Sequence, residues 1–273
     1  MILELEDLSV GYNGYPVLEN VNITFDGPQL VSILGPNGVG KSTLVQCIDN
    51  ILKPIAGKVT IDGKDVQEIG SKELAKMISY VPCASSTSFP MSVADTVLIG
   101  RYPRSGRNHT EKDLRMVHSA LKLLGIEDLA LRNFNELSAG QHQKVVLARG
   151  LVQETGIIIL DEPTSNLDIK HQISVSRLLK ILSERKGLLI IMISHDINIA
   201  SRYSDRIILL NEGRLFADGT PKEVLTAENI RSIYGLDAEV VEKDGHPYII
   251  VDNKDDTIFS DEDIDGLFGD SEG

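Results

Sequence analysis

The sequence predicts an α/β fold built on a parallel sheet covered on both faces and interrupted by a helical insertion. Three observations predict it. Apolar runs without polar alternation, at residues 30–34, 157–160 and 188–193, read as strands buried on both faces. Helix-like segments follow at 43–48 and 169–183, as repeated βα units require. Between these halves, from roughly residue 84 to 150, the pattern turns mainly helical.

In chain order, the first 65 residues read as strands joined by turns, at 3–8, 21–25, 30–34 and 58–61. Helix and strand mix from about 72 to 82. Ser92-Val93-Ala94-Asp95 and Thr110-Glu111-Lys112-Asp113 have the form of capping boxes that open helices. After the second, Leu114, Val117, Leu121 and Leu124 recur at helical spacing and predict a buried face. A further helix runs to about Gln153. Near the C-terminus, residues 240–250 read as a hairpin around Asp244-Gly245. There is no internal repeat.

Composition bounds the function. At 42% hydrophobic and 25% charged residues, the 273-residue chain is that of a globular protein. Its longest apolar runs fall far short of the ~20 residues that cross a bilayer. Acids at Glu4, Glu6 and Asp7 stand where an export signal is basic, and Cys47 and Cys83 make no disulfide framework. A cytoplasmic location is expected. The net charge of −13 argues against nucleic-acid binding, which needs basic surface. Residues 252–273 hold nine acids against the single Lys254 and supply −8 of that charge. They read as a solvated, disordered tail, with a partner-binding tail as the alternative.

The strand at 30–34 leads into Gly35-Pro36-Asn37-Gly38-Val39-Gly40-Lys41-Ser42, and Thr43 continues into a helix. That strand–loop–helix setting is the one a P-loop requires. Its glycines let successive N–H groups turn inward around phosphates. Lys41 would reach the β- and γ-phosphates, and Ser42 would sit on Mg²⁺. Residues Gly35 to Thr43 are therefore the candidate phosphate-binding set for a nucleoside triphosphate.

The strand at 157–160 ends in Asp161-Glu162. A buried strand would deliver Asp161 beside the P-loop, where a carboxylate can hold Mg²⁺. Glu162 is placed to accept a proton from attacking water. Taken alone, two acids at a strand end fit solvation equally well. They are not alone: Leu137-Ser138-Ala139-Gly140-Gln141 lies upstream, Pro163-Thr164-Ser165-Asn166-Leu167-Asp168 follows, and Ser194-His195-Asp196 ends the next apolar strand.

With these residues in this order, the chain resembles the ABC-type ATPases over at least residues 3–225. The resemblance implies a P-loop NTPase fold: a RecA-like core, an N-terminal antiparallel β-subdomain and an inserted helical subdomain within residues 1–225, followed by a small extension at 226–251. It implies that Tyr12 stacks on adenine. Ser138, Gly140 and Gln141 would meet the γ-phosphate of ATP held by a second copy, helped by the N-terminus of their helix. Asp168 would link the two sites at the dimer interface. His195 would hydrogen-bond the γ-phosphate, so that Glu162, His195 and Lys41 form the catalytic set, with Ser42 and Asp161 on the metal.

Two positions depart from the family pattern. Cys83 stands where the family places a glutamine that offers its amide oxygen to Mg²⁺. A thiol suits a hard cation poorly. Either hydrolysis or its coupling is weakened, or the remaining groups carry it unaided. Ala139 replaces a signature glycine and is tolerable if the backbone there needs no positive φ.

Gly100-Arg101-Tyr102-Pro103, the His171-Gln172 pair and the segment 221–241 with Tyr234-Gly235 resemble ATPases of importers for ferric siderophores, haem and vitamin B12. That resemblance implies a homodimer, two membrane permeases received around residues 86–100, and an extracytoplasmic binding protein. A soluble ABC ATPase of the Fe–S assembly type, or a low-turnover regulator, is the alternative class.

Overall fold

Strands β1 (Ile2–Tyr12) and β2 (Tyr15–Asp26) pair antiparallel and place Leu3, Leu5, Leu8 and Val10 on one buried face. The computed structural model describes residues 1–83, 90–106 and 108–251. After β3 (Gln29–Leu34) and α1 (Lys41–Ile48), strands β4 (Ala56–Ile61) and β5 (Lys64–Asp65) join the first pair. The result is an antiparallel sheet in the order β2-β1-β4-β5.

Helix α2 (Ser71–Met77) leads into β6 (Ile78–Val81). Four helices follow: α3 (Val93–Leu98), α4 (Tyr102–Ser105), α5 (Glu111–Leu123) and α6 (Ala139–Leu151). The chain then alternates through β7 (Ile157–Asp161), α7 (Ile169–Lys186), β8 (Leu189–Ile193) and α8 (Ile197–Tyr203). It closes with β9 (Arg206–Asn211), β10 (Arg214–Gly219), α9 (Pro221–Val224), α10 (Ala227–Tyr234), β11 (Ala238–Lys243) and β12 (His246–Val251).

The second sheet has the order β10-β9-β3-β8-β7-β6, parallel except for the antiparallel edge strand β10. Every residue of β7 and β8 is buried, which explains their unbroken apolar character. One face of this sheet shares a core with the antiparallel sheet and α1; the other packs against α3, α5, α6 and α7. A third cluster joins Leu34, Ile207 and Leu209 to Leu225, Ile230 and Ile249, so the last helix and hairpin are built onto the sheet.

The predicted hairpin is present: Lys243 pairs with His246 across Asp244 (φ 53°) and Gly245 (φ 82°), a turn with both central residues left-handed. Two expectations need correction. Leu114 is 55% exposed. The buried stripe of α5 runs instead through Asp113, Val117, Ala120 and Leu121, because Asp113 turns inward to meet Arg101. At Ser92 only half of the box forms. Its hydroxyl accepts from the Asp95 N–H, but the Asp95 carboxylate takes that same hydroxyl's proton rather than the Ser92 backbone N–H. The Thr110 box is complete. Residues 86–89 of the expected permease-facing region and the acidic tail from 252 lie outside the described residues.

Candidate active site

Strand β3 sits between β8 and β9 and ends the loop's entry at Leu34. Two glycines there are obligatory. Gly35 has φ 144°, and a Cβ on it would stand 2.3 Å from the Leu210 carbonyl oxygen. Gly40 has φ 108°, and its Cβ would meet Leu18 at 2.8 Å. Between them Gly38 (φ 80°) faces open space, with nothing within 4 Å of where a Cβ would stand. Lys41 is buried, and its Nζ donates to the carbonyls of Gly35 and Pro36, each at 2.8 Å. Burial lowers the Lys41 pKa, while Glu162 and Asp161 oppose that shift. The half-buried Tyr234 phenol, its pKa raised by desolvation, takes a hydrogen bond from the Gly35 backbone, so α10 braces the loop.

Asp161 is the buried last residue of β7. Its Oδ1 accepts from the Ser42 hydroxyl at 3.1 Å and its Oδ2 from the Tyr80 hydroxyl at 3.2 Å. Burial pushes the Asp161 carboxyl above the usual range, against the pull of those two hydroxyls. Ser42 and Asp161 thus present hard oxygen donors beside the glycine loop, a donor set that fits Mg²⁺ on a phosphate.

Glu162 adopts φ 53°, a left-handed conformation that costs a glutamate about 1 kcal/mol or more. Its Oε1 lies 2.5 Å from His195 Nε2, and Cys83 Sγ approaches its Oε2 at 3.7 Å. His195 is held by the loop after β8, where the Ser194 N–H donates to the Ile33 carbonyl of β3. Burial raises the Cys83 thiol, with Glu162 and Asp161 adding to the shift and Ser165 opposing it. Tyr12, Gly38, Lys41, Ser42, Thr43 and Glu162 line one cleft of about 250 Å³. Tyr12 is half exposed at its mouth.

The other sequence-predicted residues lie elsewhere. Ser138 caps α6 in a complete capping box with Gln141. Ala139 is the first helical residue and has no positive φ, so its methyl is tolerated. Asp168 caps α7, accepting from the His171 N–H at 2.9 Å and meeting its ring at 2.8 Å. Ser138, Gly140, Gln141 and Asp168 share a separate cleft of about 390 Å³ with no residue in common with the first. A single copy therefore assembles P-loop, Asp161, Glu162 and His195, but not the signature.

Sequence reasoning missed Tyr80 and Arg101 as working residues. Tyr80 was visible only as one position of a strand. Arg101 is buried, with Nε 2.7 Å from Asp113 and Nη1 donating to the Val152 carbonyl and Glu154. Its neighbour Gly100 packs so closely that a Cβ would stand 2.2 Å from the Arg149 carbonyl oxygen. The Gly-Arg-Tyr-Pro run is thus a clamp between helices.

The ABC transporter family model matches residues 18–165. An uncharacterized ABC transporter ATP-binding protein of Methanocaldococcus jannaschii is 42% identical over 92% of this chain and 98% of its own. The petrobactin import ATP-binding protein YclP of Bacillus subtilis is 37% identical over 86% and 93%. The ferric enterobactin transport ATP-binding protein FepC of Escherichia coli is 39% identical over 87% and 88%. An ABC transporter chain solved in an inward-facing conformation superposes with a TM-score of 0.78 at 28% identity, over 92% of this chain and 97% of that one. A dimeric cassette in a post-hydrolysis state with ADP and Pi superposes at 0.72 with 30% identity, over 80% and 98%. The matched span and these relatives, together with the cleft geometry, make this chain a member of the ABC transporter family, an ATP-binding cassette ATPase.

Proposed function

We propose that this chain is the ATP-hydrolysing subunit of an importer for a metal chelate of the iron-siderophore, haem or cobalamin type. The observation that carries the chemistry is the gathering of the glycine cradle, Lys41, the Ser42–Asp161 pair and the Glu162–His195 pair at one cleft. The import reading rests on relatives named for petrobactin import, hemin import and ferric enterobactin transport.

The P-loop amides from Gly35 to Thr43 and the Lys41 ammonium bind the phosphates, and the Tyr12 ring stacks on adenine. Ser42 and Asp161 would hold Mg²⁺, which supplies charge neutralisation on the phosphate oxygens. Glu162 takes the proton of the attacking water, and His195 orients Glu162 and donates to the γ-phosphate. Ser138, Gly140, Gln141 and Asp168 complete the site of a second copy. The separation of the two clefts on one chain and the dimeric cassette relative support that arrangement.

The same reading divides the chain into a nucleotide-binding domain at 1–225, with its helical part at about 84–150, and a small extension at 226–251. Among the described residues no helix is long and apolar enough to cross a membrane. Two permease subunits would therefore bring the dimer to the inner membrane face, with an extracytoplasmic binding protein delivering the chelate. The test is affinity purification of the tagged chain from its own membranes in mild detergent, followed by mass spectrometry. A co-purifying polytopic permease is the expected result. Recovery with cytoplasmic assembly proteins alone would move the protein to the non-transport ABC class.

A further inference from the structure

The hairpin β11–β12 forms one wall of a groove of about 450 Å³ against α7 and α8. Arg177, Arg202, Lys243 and His246 line it against a single carboxylate, Asp196. That carboxylate is engaged in capping α8, accepting from the Ile199 N–H at 2.8 Å. Arg202 faces Asp244 only at 3.8 Å, in a pair more than half exposed on both sides, where such contacts are weak. Lys243 lies over the Tyr248 ring at 5.5 Å. Arg177 is exposed and has no ion pair among the described residues. Ile173 and Tyr248 add exposed apolar surface at 43% and 42%. The protein as a whole carries a net charge of −13, whereas this groove is basic and partly aromatic among the described residues.

The complementary surface is in the same chain. Residues 252–273 carry a net −8 and interleave it with Ile258-Phe259, Ile264 and Leu267-Phe268. The chain leaves the groove wall at Tyr248, three residues before the tail begins to extend beyond Val251. Three extended residues span about 10 Å and 22 span at most about 70 Å, so the tail reaches the groove with length to spare. Tethering also raises the tail's local concentration to the order of millimolar, enough for weak contacts to hold.

We propose that residues 252–273 dock back into the groove between α7, α8 and β12 as an intramolecular acidic strap. Composition alone reads the tail as solvated; the groove provides the counter-charge and apolar contacts that composition does not show. The consequence is regulatory. Helix α8 begins beside His195 and α7 begins at Asp168, so an occupant of this groove bears on the loops that carry both. The proposal goes beyond the import reading and stands whichever class of ABC ATPase the chain serves.

Zero-length carbodiimide coupling of the full chain, with peptide mapping, tests it. Lys243 is the lysine of this groove, whereas Lys112 and Lys186, with Arg115 and Glu154, line a second, also net basic groove beside α5 that serves as the internal control. The expected result is Lys243 joined to tail carboxylates within one chain. Yield should fall severalfold when salt rises from about 0.1 M to about 1 M, shortening the screening length from ~10 Å to ~3 Å. It should fall likewise in the double variant Arg177→Gln, Arg202→Gln. A mixture of isotopically light and heavy chains separates the alternatives. Conjugates between light and heavy copies, conjugates mainly at Lys112 or Lys186, or indiscriminate labelling of all lysines would each overturn the proposal.

Discussion

His195 Nε2 stands 2.5 Å from Glu162 Oε1, although the two residues come from different strand ends and Glu162 must adopt φ 53° to present its carboxylate. In the mechanism proposed above, a left-handed glutamate held against a histidine would serve as a base fixed in direction before substrate arrives. Glu162→Gln should lower Mg²⁺-dependent ATP hydrolysis by about 10²–10⁴-fold while leaving ATP binding within a few-fold of wild type. His195→Ala should act in the same direction. Steady-state phosphate release and equilibrium nucleotide binding, measured together, decide the matter. Retention of most of the turnover in Glu162→Gln would assign the base elsewhere.

Cys83 approaches the other oxygen of the same carboxylate at 3.7 Å, at the position where the resemblance to ABC ATPases leads one to expect a metal-contacting glutamine. Its thiol is raised by burial and stays protonated, so it can donate a weak hydrogen bond to Glu162 and offers little to a hard cation. Cys83→Gln is expected to raise turnover, or its stimulation by the permease, by several-fold. If both rates stay unchanged, the substitution carries no catalytic consequence and the low-turnover reading loses its support.

The legible parts of the site were those whose meaning is local. A strand, a glycine-rich loop and a helix in succession specify the phosphate cradle without reference to the rest of the fold, and Asp161-Glu162 at the end of an apolar run is equally self-contained. What stayed hidden were contacts closed across the chain: Tyr80 to Asp161, Tyr234 to Gly35, and Arg101 to Asp113 and Val152. The α5 stripe shows the same limit. Helical spacing located the buried face, but an inward aspartate with a distant arginine partner displaced it by one position, leaving Leu114 outside. The separate clefts of signature and P-loop agree with the resemblance, which put Ser138 and Gly140 on ATP held by a second copy, although residue spacing alone does not separate them.

Tyr80 holds the Asp161 carboxylate, the group proposed above to bind Mg²⁺. Its hydroxyl occupies Oδ2 of Asp161 and leaves Oδ1 facing Ser42. Tyr80→Phe keeps the packing of β6 but frees that oxygen to rotate. By analogy with other outer-shell partners, the Mg²⁺ concentration for half-maximal hydrolysis should rise about tenfold. The rate at saturating Mg²⁺ should change much less. A proportional loss at all Mg²⁺ concentrations would indicate a merely structural role.

Asp49 follows α1 and is pushed up to about 7 by burial. Its folded-state pKa lies above the unfolded value, so the native state binds the proton more tightly. Stability from this group is present at low pH and is lost as pH rises toward and through 7. Asp49→Asn should therefore gain on the order of 2 kcal/mol relative to wild type between pH 5 and pH 8. Urea midpoints of both proteins across that range provide the comparison, and parallel curves would show that Asp49 titrates normally.

The Arg101–Asp113 pair gives the last prediction. Both side chains are almost fully buried, and the guanidinium also holds the Val152 carbonyl at the end of α6 and the Glu154 carboxylate. Hydrogen bonds from the Thr110 backbone, then the guanidinium, hold the Asp113 carboxyl well below the usual range, so it remains charged in the folded protein at neutral pH. Its folded pKa is depressed, so its contribution is fully present above pH 4 and is lost only as pH falls through that depressed value. Removing the guanidinium leaves the Asp113 charge buried with only the Thr110 hydrogen bonds to compensate it. Arg101→Met should cost about 3–5 kcal/mol by denaturant unfolding. Replacing both, with Asp113→Leu added, should recover part of that loss, because an apolar pair no longer strands a carboxylate. Thr110 limits the recovery, since its backbone N–H and hydroxyl would lose the acceptor that opens α5. Equal destabilisation of the single and double variants would mean that the helix cap, rather than the ion pair, holds α5 to α6.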